Sequence, residues 1–163
     1  TGLGAKRKVN MLDGKNWFEE KITEFNGKQP GKGDRWAEKW TNNRTMMYES
    51  MFEELINKVL HKEETGIQAA KNLTDAKITL LVKTKMTEPG FNAVAMKQNP
   101  FCKYDISYIE AATGKVLAKG EMTAMGVLMG GSGWDFDPSN SIKECYAKCG
   151  KEVAQSIVKA LKK

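Results

Sequence analysis

Between Asp34 and Glu63 the apolar positions return every three or four residues: Trp36, Trp40, Met47, Met51, Leu55 and Val59, with Tyr48, Phe52, Ile56 and Leu60 beside them. That is the period of an amphipathic helix. It predicts a helix over 34–63 with Asp34 as its N-cap and an end before Gly66. Thr41, Asn42 and Asn43 are poor helix formers inside this span, so a kink or a restart capped by Asn43 is expected there. Met46, Met47 and Met51 read as gap-filling core residues on this face. A second long helix is predicted over 141–161, with Ile142, Cys145, Cys149, Val153, Ile157 and Leu161 as its buried stripe. Ser141 and Glu144 have the spacing of a capping box at its start.

The period changes to two between these helices. From Asp75 to Met86, Ile78, Leu80, Val82, Thr84 and Met86 fall on one face, while Lys77, Thr79, Lys83 and Lys85 fall on the other. This is a strand over 76–86 with one wet face. Glu88-Pro89-Gly90 ends it, and a loop through Asn99-Pro100 leads to a strand over 101–110 in which Cys102, Tyr104, Ile106 and Tyr108 share a face. Ala111 to Gly114 turns the chain into a third strand over 115–124, where Val116, Ala118 and Met122 alternate against Lys119, Glu121 and Thr123. Near the start, Lys6 to Leu12 reads as a short N-terminal strand closed by Asp13-Gly14. Trp17, Phe18, Ile22 and Phe25 then fit one helical face, with a strand as the alternative, and Asn26 to Gly33 reads as an exposed Gly- and Lys-rich loop.

These elements predict a single α+β domain over 1–163. Its two layers are a mainly antiparallel sheet of about four strands, made of the 76–86, 101–110 and 115–124 meander and the N-terminal strand, and a cover of two long amphipathic helices, 34–63 and 141–161. The chain has 163 residues, enough for one hydrophobic core. Its apolar runs are too short to cross a bilayer. With 26 Lys+Arg against 20 Asp+Glu it carries +6, which raises the question of a polyanion partner. Only Arg7, Arg35 and Arg44 are arginines, and the lysines are spread out, so no nucleic-acid partner is expected.

Candidate chemistry is sparse. Cys102, Cys145 and Cys149 form no Cys-x-x-Cys pair, and His61 is the sole histidine. Neither a zinc site nor a Ser-His-Asp machine is indicated, and His61 reads as a complement to a helix C-terminus. No cofactor and no metal is expected. Cys145 and Cys149 lie one helical turn apart and cannot bridge each other without strain. A bridge from Cys102 to either remains open, as does the alternative of three buried free thiols.

The segment from Gly126 to Pro138 mixes glycines with large apolar residues that no period organises. It lacks the ending of a Walker loop, and Asp135-x-Asp137-x-Ser139 departs from a calcium loop at Asn140 and Tyr146. Val127, Leu128, Met129, Trp134 and Phe136 are read as a partner-binding loop, with a lid over the core as the alternative. Asp135 and Asp137 form a possible polar site. They also support the second functional reading, a carboxylate-dependent enzyme or ligand-binding protein that uses the 126–138 loop, with Tyr104 or Tyr108 assisting.

The order of pieces carries a resemblance. Lys8-Val9-Asn10-Met11-Leu12 with Asp13-Gly14-Lys15, the Trp36/Trp40 helix, Ala76 to Val82, Ala112 to Leu117 and Ala147 to Glu152 together resemble a family of small secreted or lipid-anchored Bacteroidetes-type envelope proteins of unassigned function. The layout is similar to lipoprotein domains of the TolB N-terminal-like fold, including outer-membrane activators of peptidoglycan synthases. The resemblance covers nearly the whole chain and implies a non-catalytic binding or scaffold module of the bacterial cell envelope, periplasmic or outer-membrane associated, with an envelope protein as partner. It carries over no catalytic residue. Thr1-Gly2-Leu3-Gly4 reads as a processed or trimmed terminus, and no lipid-acceptor cysteine stands near it, so an anchor is possible but not visible.

Overall fold

Trp36, at the start of the strongest helical pattern, packs its ring against Phe18, Phe25 and Trp40, each at a centroid distance of 5.4 Å. This aromatic cluster clamps two antiparallel helices together in a computed structural model that describes residues 9–10, 14–93, 96–128 and 139–162. Helix α1 (Gly14–Lys28) realises the Phe18/Ile22/Phe25 face as a helix and not a strand, and α2 spans Lys32–Asn43. The loop between them is shorter than the breaker composition suggested. The Asn26 side chain accepts a hydrogen bond from the Gly33 amide at 2.7 Å, and Gly33 is buried in the turn of α2, not exposed. A Cβ on Gly33 would lie 2.1 Å from the Ile22 carbonyl oxygen, so only glycine lets α1 and α2 approach this closely. Gly31, in the left-handed region at φ 74°, holds the N-cap position expected for Asp34.

The interruption at Thr41-Asn42-Asn43 becomes a π-helical turn, Arg44–Glu49, followed by α3, Ser50–Lys62. The extra residue of a π turn rotates the face that follows it. Tyr48, Ile56 and Leu60 are therefore buried, whereas Met47, Met51, Leu55 and Val59 are only half-buried. Met46 points outward at 75% exposure, contrary to its expected core role. His61 lies in the last turn of α3, where the dipole favours a basic group.

The sheet has three long antiparallel strands, β2 (Ile78–Glu88), β5 (Phe101–Glu110) and β6 (Val116–Met125), with the two-residue β1 (Val9–Asn10) beside β2. The 88–100 stretch expected as a loop contains a small hairpin, β3 (Phe91–Ala93) with β4 (Met96–Gln98). In β2 the alternation holds from Leu80 to Thr84, with Ile78 exposed on the expected core face, and then slips. A bulge at Lys85 makes Thr84 pair with Tyr104 but Thr87 pair with Cys102. Thr87 is consequently buried and Met86 leaves the core face, the reverse of the strict alternation. A second irregularity sets Val116 opposite Ile109, and Val116 is 42% exposed. Cys102, Tyr104 and Ile106 face the core together as their spacing predicts, with Tyr108 half-buried at the end of the row.

Helix α4 (Ser139–Leu161) starts before the predicted capping box, so Ser141 sits buried within the first turn and not at the N-cap. It crosses beneath β5 and β6, and α3 packs on α4 instead of on the sheet. The expected cover of two helices side by side under the sheet is thus replaced by one covering helix and one that stands beside it. Gly150 makes the helix pair possible: a Cβ there would lie 2.4 Å from the Phe52 carbonyl oxygen. The core between these layers joins Ile56 and Leu60 to Tyr104, Ile142, Cys145 and Val153. No described helix is long and apolar enough to cross a membrane.

Candidate functional site

Because α3 leans on α4, the face of α3 that looks toward β2 is not closed by the sheet. A cavity of about 680 Å³ occupies the gap. Phe52, Ile56 and Leu60 form its helical wall, Leu80, Val82 and Thr84 its sheet wall, and the segment after α3, from Ile67 to Leu73, its rim. A volume within roughly 300–1,000 Å³ lined mainly by apolar groups is characteristic of ligand pockets. Ile67, Leu73, Ile78 and Leu81 line it while remaining 42–51% exposed, so the cavity opens into an apolar surface patch.

The rim is held by specific bonds. Asn57, on α3, donates from Nδ2 to the Ala69 carbonyl at 2.7 Å and accepts from the Ala69 amide at 2.8 Å. Lys71 is ion-paired with Glu49 of the π turn, which also meets Arg44 Nε at 3.4 Å. The Thr65 hydroxyl donates to the Leu60 carbonyl at 3.1 Å, closing the C-terminus of α3 and directing the chain back along the helix.

Two tyrosine hydroxyls at the cavity are hydrogen-bonded to neighbouring side chains. The Tyr146 hydroxyl shares a 2.9 Å hydrogen bond with Thr84 Oγ1 and the Tyr108 hydroxyl shares a 3.2 Å bond with Ser156 Oγ. Burial pushes the Tyr146 phenol up to about 12, so it stays protonated at neutral pH. Tyr48 stacks on Tyr146 at 5.3 Å and Tyr104 meets it edge-on at 5.4 Å, a rigid aromatic wall behind the cavity.

Behind that wall lie the three thiols. Cys102, Cys145 and Cys149 are free and fully buried, which is the second of the two sequence alternatives. A hydrogen bond with Cys102, together with burial, holds the Cys145 thiol far above its ordinary value. Burial pushes Cys149 up to about 12. The Tyr104 hydroxyl has no oxygen or nitrogen partner among the described residues, and its desolvation keeps it protonated.

Of the predicted loop residues, Val127 is 66% exposed and Leu128 half-buried, beyond the end of β6. Met129, Trp134, Asp135, Phe136 and Asp137 lie outside the described residues. Among the described residues no group of three or more His, Cys, Asp or Glu is placed to hold a metal ion. The cavity itself was not anticipated: Phe52, Ile56, Leu80 and Val82 carry ordinary core patterns, and nothing in their spacing sets them apart.

No family model matches the chain, and no curated protein matches it either. A solved structure, described as "a putative lipoprotein from Caulobacter crescentus CB15", aligns with 66% of this chain and 78% of its own at 13% identity and a TM-score of 0.37. At that identity and score the likeness transfers neither fold nor function to this chain.

Proposed function

We propose that this protein is a non-catalytic binding module of the bacterial cell envelope, and that its ligand occupies the cavity between α3, the Ile67–Leu73 rim and β2. The observation that carries the binding part is the cavity itself, a preformed apolar space of about 680 Å³ with exposed apolar residues at its mouth. Water-filled space against Phe52, Ile56, Leu80 and Val82 costs free energy that an apolar ligand recovers, at roughly 25 cal/mol per Å² of apolar surface removed from water. The non-catalytic part is supported by how several of the surrounding polar groups are engaged. Glu49 is neutralised by Arg44 and Lys71, and the two tyrosine hydroxyls at the cavity are bound to Thr84 and Ser156. The envelope part rests on the order of sequence segments that resembles small secreted and lipid-anchored proteins.

Titration with N-phenyl-1-naphthylamine tests the binding part. Fluorescence enhancement that saturates with the native protein and is abolished in both Leu80→Trp and Ala76→Trp supports it. Equal enhancement with both filled variants, each shown to be folded by circular dichroism, removes the cavity as the site. Cell fractionation tests the compartment: recovery of the endogenous protein in the cytosol discards the envelope reading.

A further inference from the structure

The cavity meets β2 along consecutive residues, Ile78 to Val82, and not along alternate ones. Successive side chains of a strand point to opposite faces, so a space on one face would touch every second residue. Consecutive contact means that the cavity opens onto the backbone edge of the strand. Its far wall is also consecutive, Ile67 to Leu73, a segment that runs without regular secondary structure into a turn at Lys71 and Asn72. The space is a slot between two chain segments, floored by apolar side chains of α3.

Among the described residues, the edge of β2 that borders the slot is open. β5 fills the opposite edge, and β1 pairs only with Met86 and Thr87. Among the described residues no other backbone hydrogen bond reaches Ile78 to Lys83. Extending β1 cannot cover them. Its partners sum to 96 (Val9 with Thr87, Asn10 with Met86), so residues 13–18 would be needed opposite 83–78, and from Gly14 onward the chain is α1. An uncovered edge with exposed Ile78 and Leu81 is a template for another strand.

We infer that an extended peptide of a partner protein, alternating apolar with polar residues and carrying acidic side chains, adds as a strand to β2 between Ile78 and Lys83. This rests on the proposed binding role of the cavity and names its ligand class. Main-chain hydrogen bonds to the open edge supply affinity, and alternate apolar side chains fill the slot against Ile56, Leu80 and Val82. Charge selects the partner. Lys77 and Lys83 are exposed at the two ends of the open stretch, and no acidic residue lies between them. Asp105, opposite Lys83 in the register, is taken by Lys85 at 3.0 Å. The same lysines disfavour a second copy: antiparallel self-pairing centred on Leu80 sets Lys77 directly against Lys83, and like charges opposite each other destabilise a sheet.

The test uses the full chain and four synthetic seven-residue peptides of alternating valine and threonine: one with glutamate at both ends, one with lysine at both ends, and two glutamate peptides N-methylated at alternate backbone nitrogens, one in each phase. Calorimetry gives affinity, and amide hydrogen exchange gives location. The glutamate peptide is expected to bind about tenfold or more tighter than the lysine peptide, to slow exchange across Ile78–Lys83, and to lose binding in one methylated phase. Lys83→Glu is expected to abolish the charge preference, and Lys77→Glu with Lys83→Glu to reverse it. Binding without protection of Ile78–Lys83, or equal binding of both methylated phases, overturns strand addition. A dimer whose own contact protects Ile78–Lys83 overturns the assignment to a foreign peptide. If no peptide binds while N-phenyl-1-naphthylamine still fills the cavity, this inference falls and the binding role stands; if neither binds, both fall.

Discussion

Asn57 holds Ala69 by both of its backbone polar groups, donating to the carbonyl at 2.7 Å and accepting from the amide at 2.8 Å. One side chain of α3 thereby acts as the strand partner that the rim lacks. Asn57→Ala removes three partly buried hydrogen bonds, the two to Ala69 and one from Nδ2 to the Glu53 carbonyl at 3.0 Å, and is expected to cost about 1–2 kcal/mol. Hydrogen exchange is expected to accelerate at Ile67 to Leu73 before it does in α4. Uniform acceleration across the chain would show that the rim is not an independent unit.

Gly150 sits in the middle of α4, where glycine costs about 1 kcal/mol relative to alanine. Propensity alone predicts that Gly150→Ala stabilises the protein. The Phe52 carbonyl lies 2.4 Å from the added methyl, so α3 must move away from α4, and overpacking of this kind costs about 1–3 kcal/mol. A lower urea midpoint for Gly150→Ala is the expected result, and a higher one would contradict the close helix contact.

The buried thiols and phenol set the alkaline limit of stability. Cys149 is raised from 9.0 to about 12 and Tyr146 from 10.0 to about 12, both chiefly by desolvation. The native state then retains protons that the unfolded state gives up, and stability falls as pH rises. Their contribution is fully present below about 9 and is lost between 9 and 12. Urea midpoints measured from pH 8 to pH 11 should fall, and Cys149→Ala should flatten the decline.

Cys102, Cys145 and Cys149 are fully buried. Ellman's reagent should label none of them in the native protein, and labelling should proceed at a rate set by unfolding. Rapid modification of one thiol would place it outside the core described here.

Glu24 lies between Lys21 and Lys28 on α1, and their hydrogen bonds hold its carboxyl at about 2. A depressed carboxylate stabilises above its ordinary value of 4.5 and loses that contribution as pH falls toward 2. The side chain is 41% exposed, so solvent and salt screen the pair. Glu24→Gln is expected to leave stability at pH 7 in high salt nearly unchanged and to reduce acid sensitivity only at low ionic strength.

Local pattern made the elements legible. Spacing of three and four residues placed α3 and α4, and strict alternation placed β5 to the residue, because each depends on which side of one element faces water. Where backbone geometry departs from the ideal period, the pattern misleads: the π turn rotated the Met46 to Val59 stripe, and the bulge at Lys85 exchanged Met86 for Thr87 in the core. Neither departure alters composition, so neither leaves a periodic signal. The apolar segment around Trp134 attracted attention because no period organised it, whereas the residues that line the cavity were hidden within well-behaved helix and strand patterns.

By itself the sequence determined the class of the protein, an α+β arrangement of amphipathic helices and a wet-faced antiparallel meander, since burial of one face per element is encoded residue by residue. Only the tertiary structure decided how those faces meet. Gly150 lets α3 settle against α4 instead of beneath β2, and that choice leaves a slot beside a strand edge that is unpaired among the described residues. The apolar residues of the slot are those of an ordinary core; what makes them a candidate site is how α3, α4 and β2 pack, a property of contacts between elements that no single segment contains.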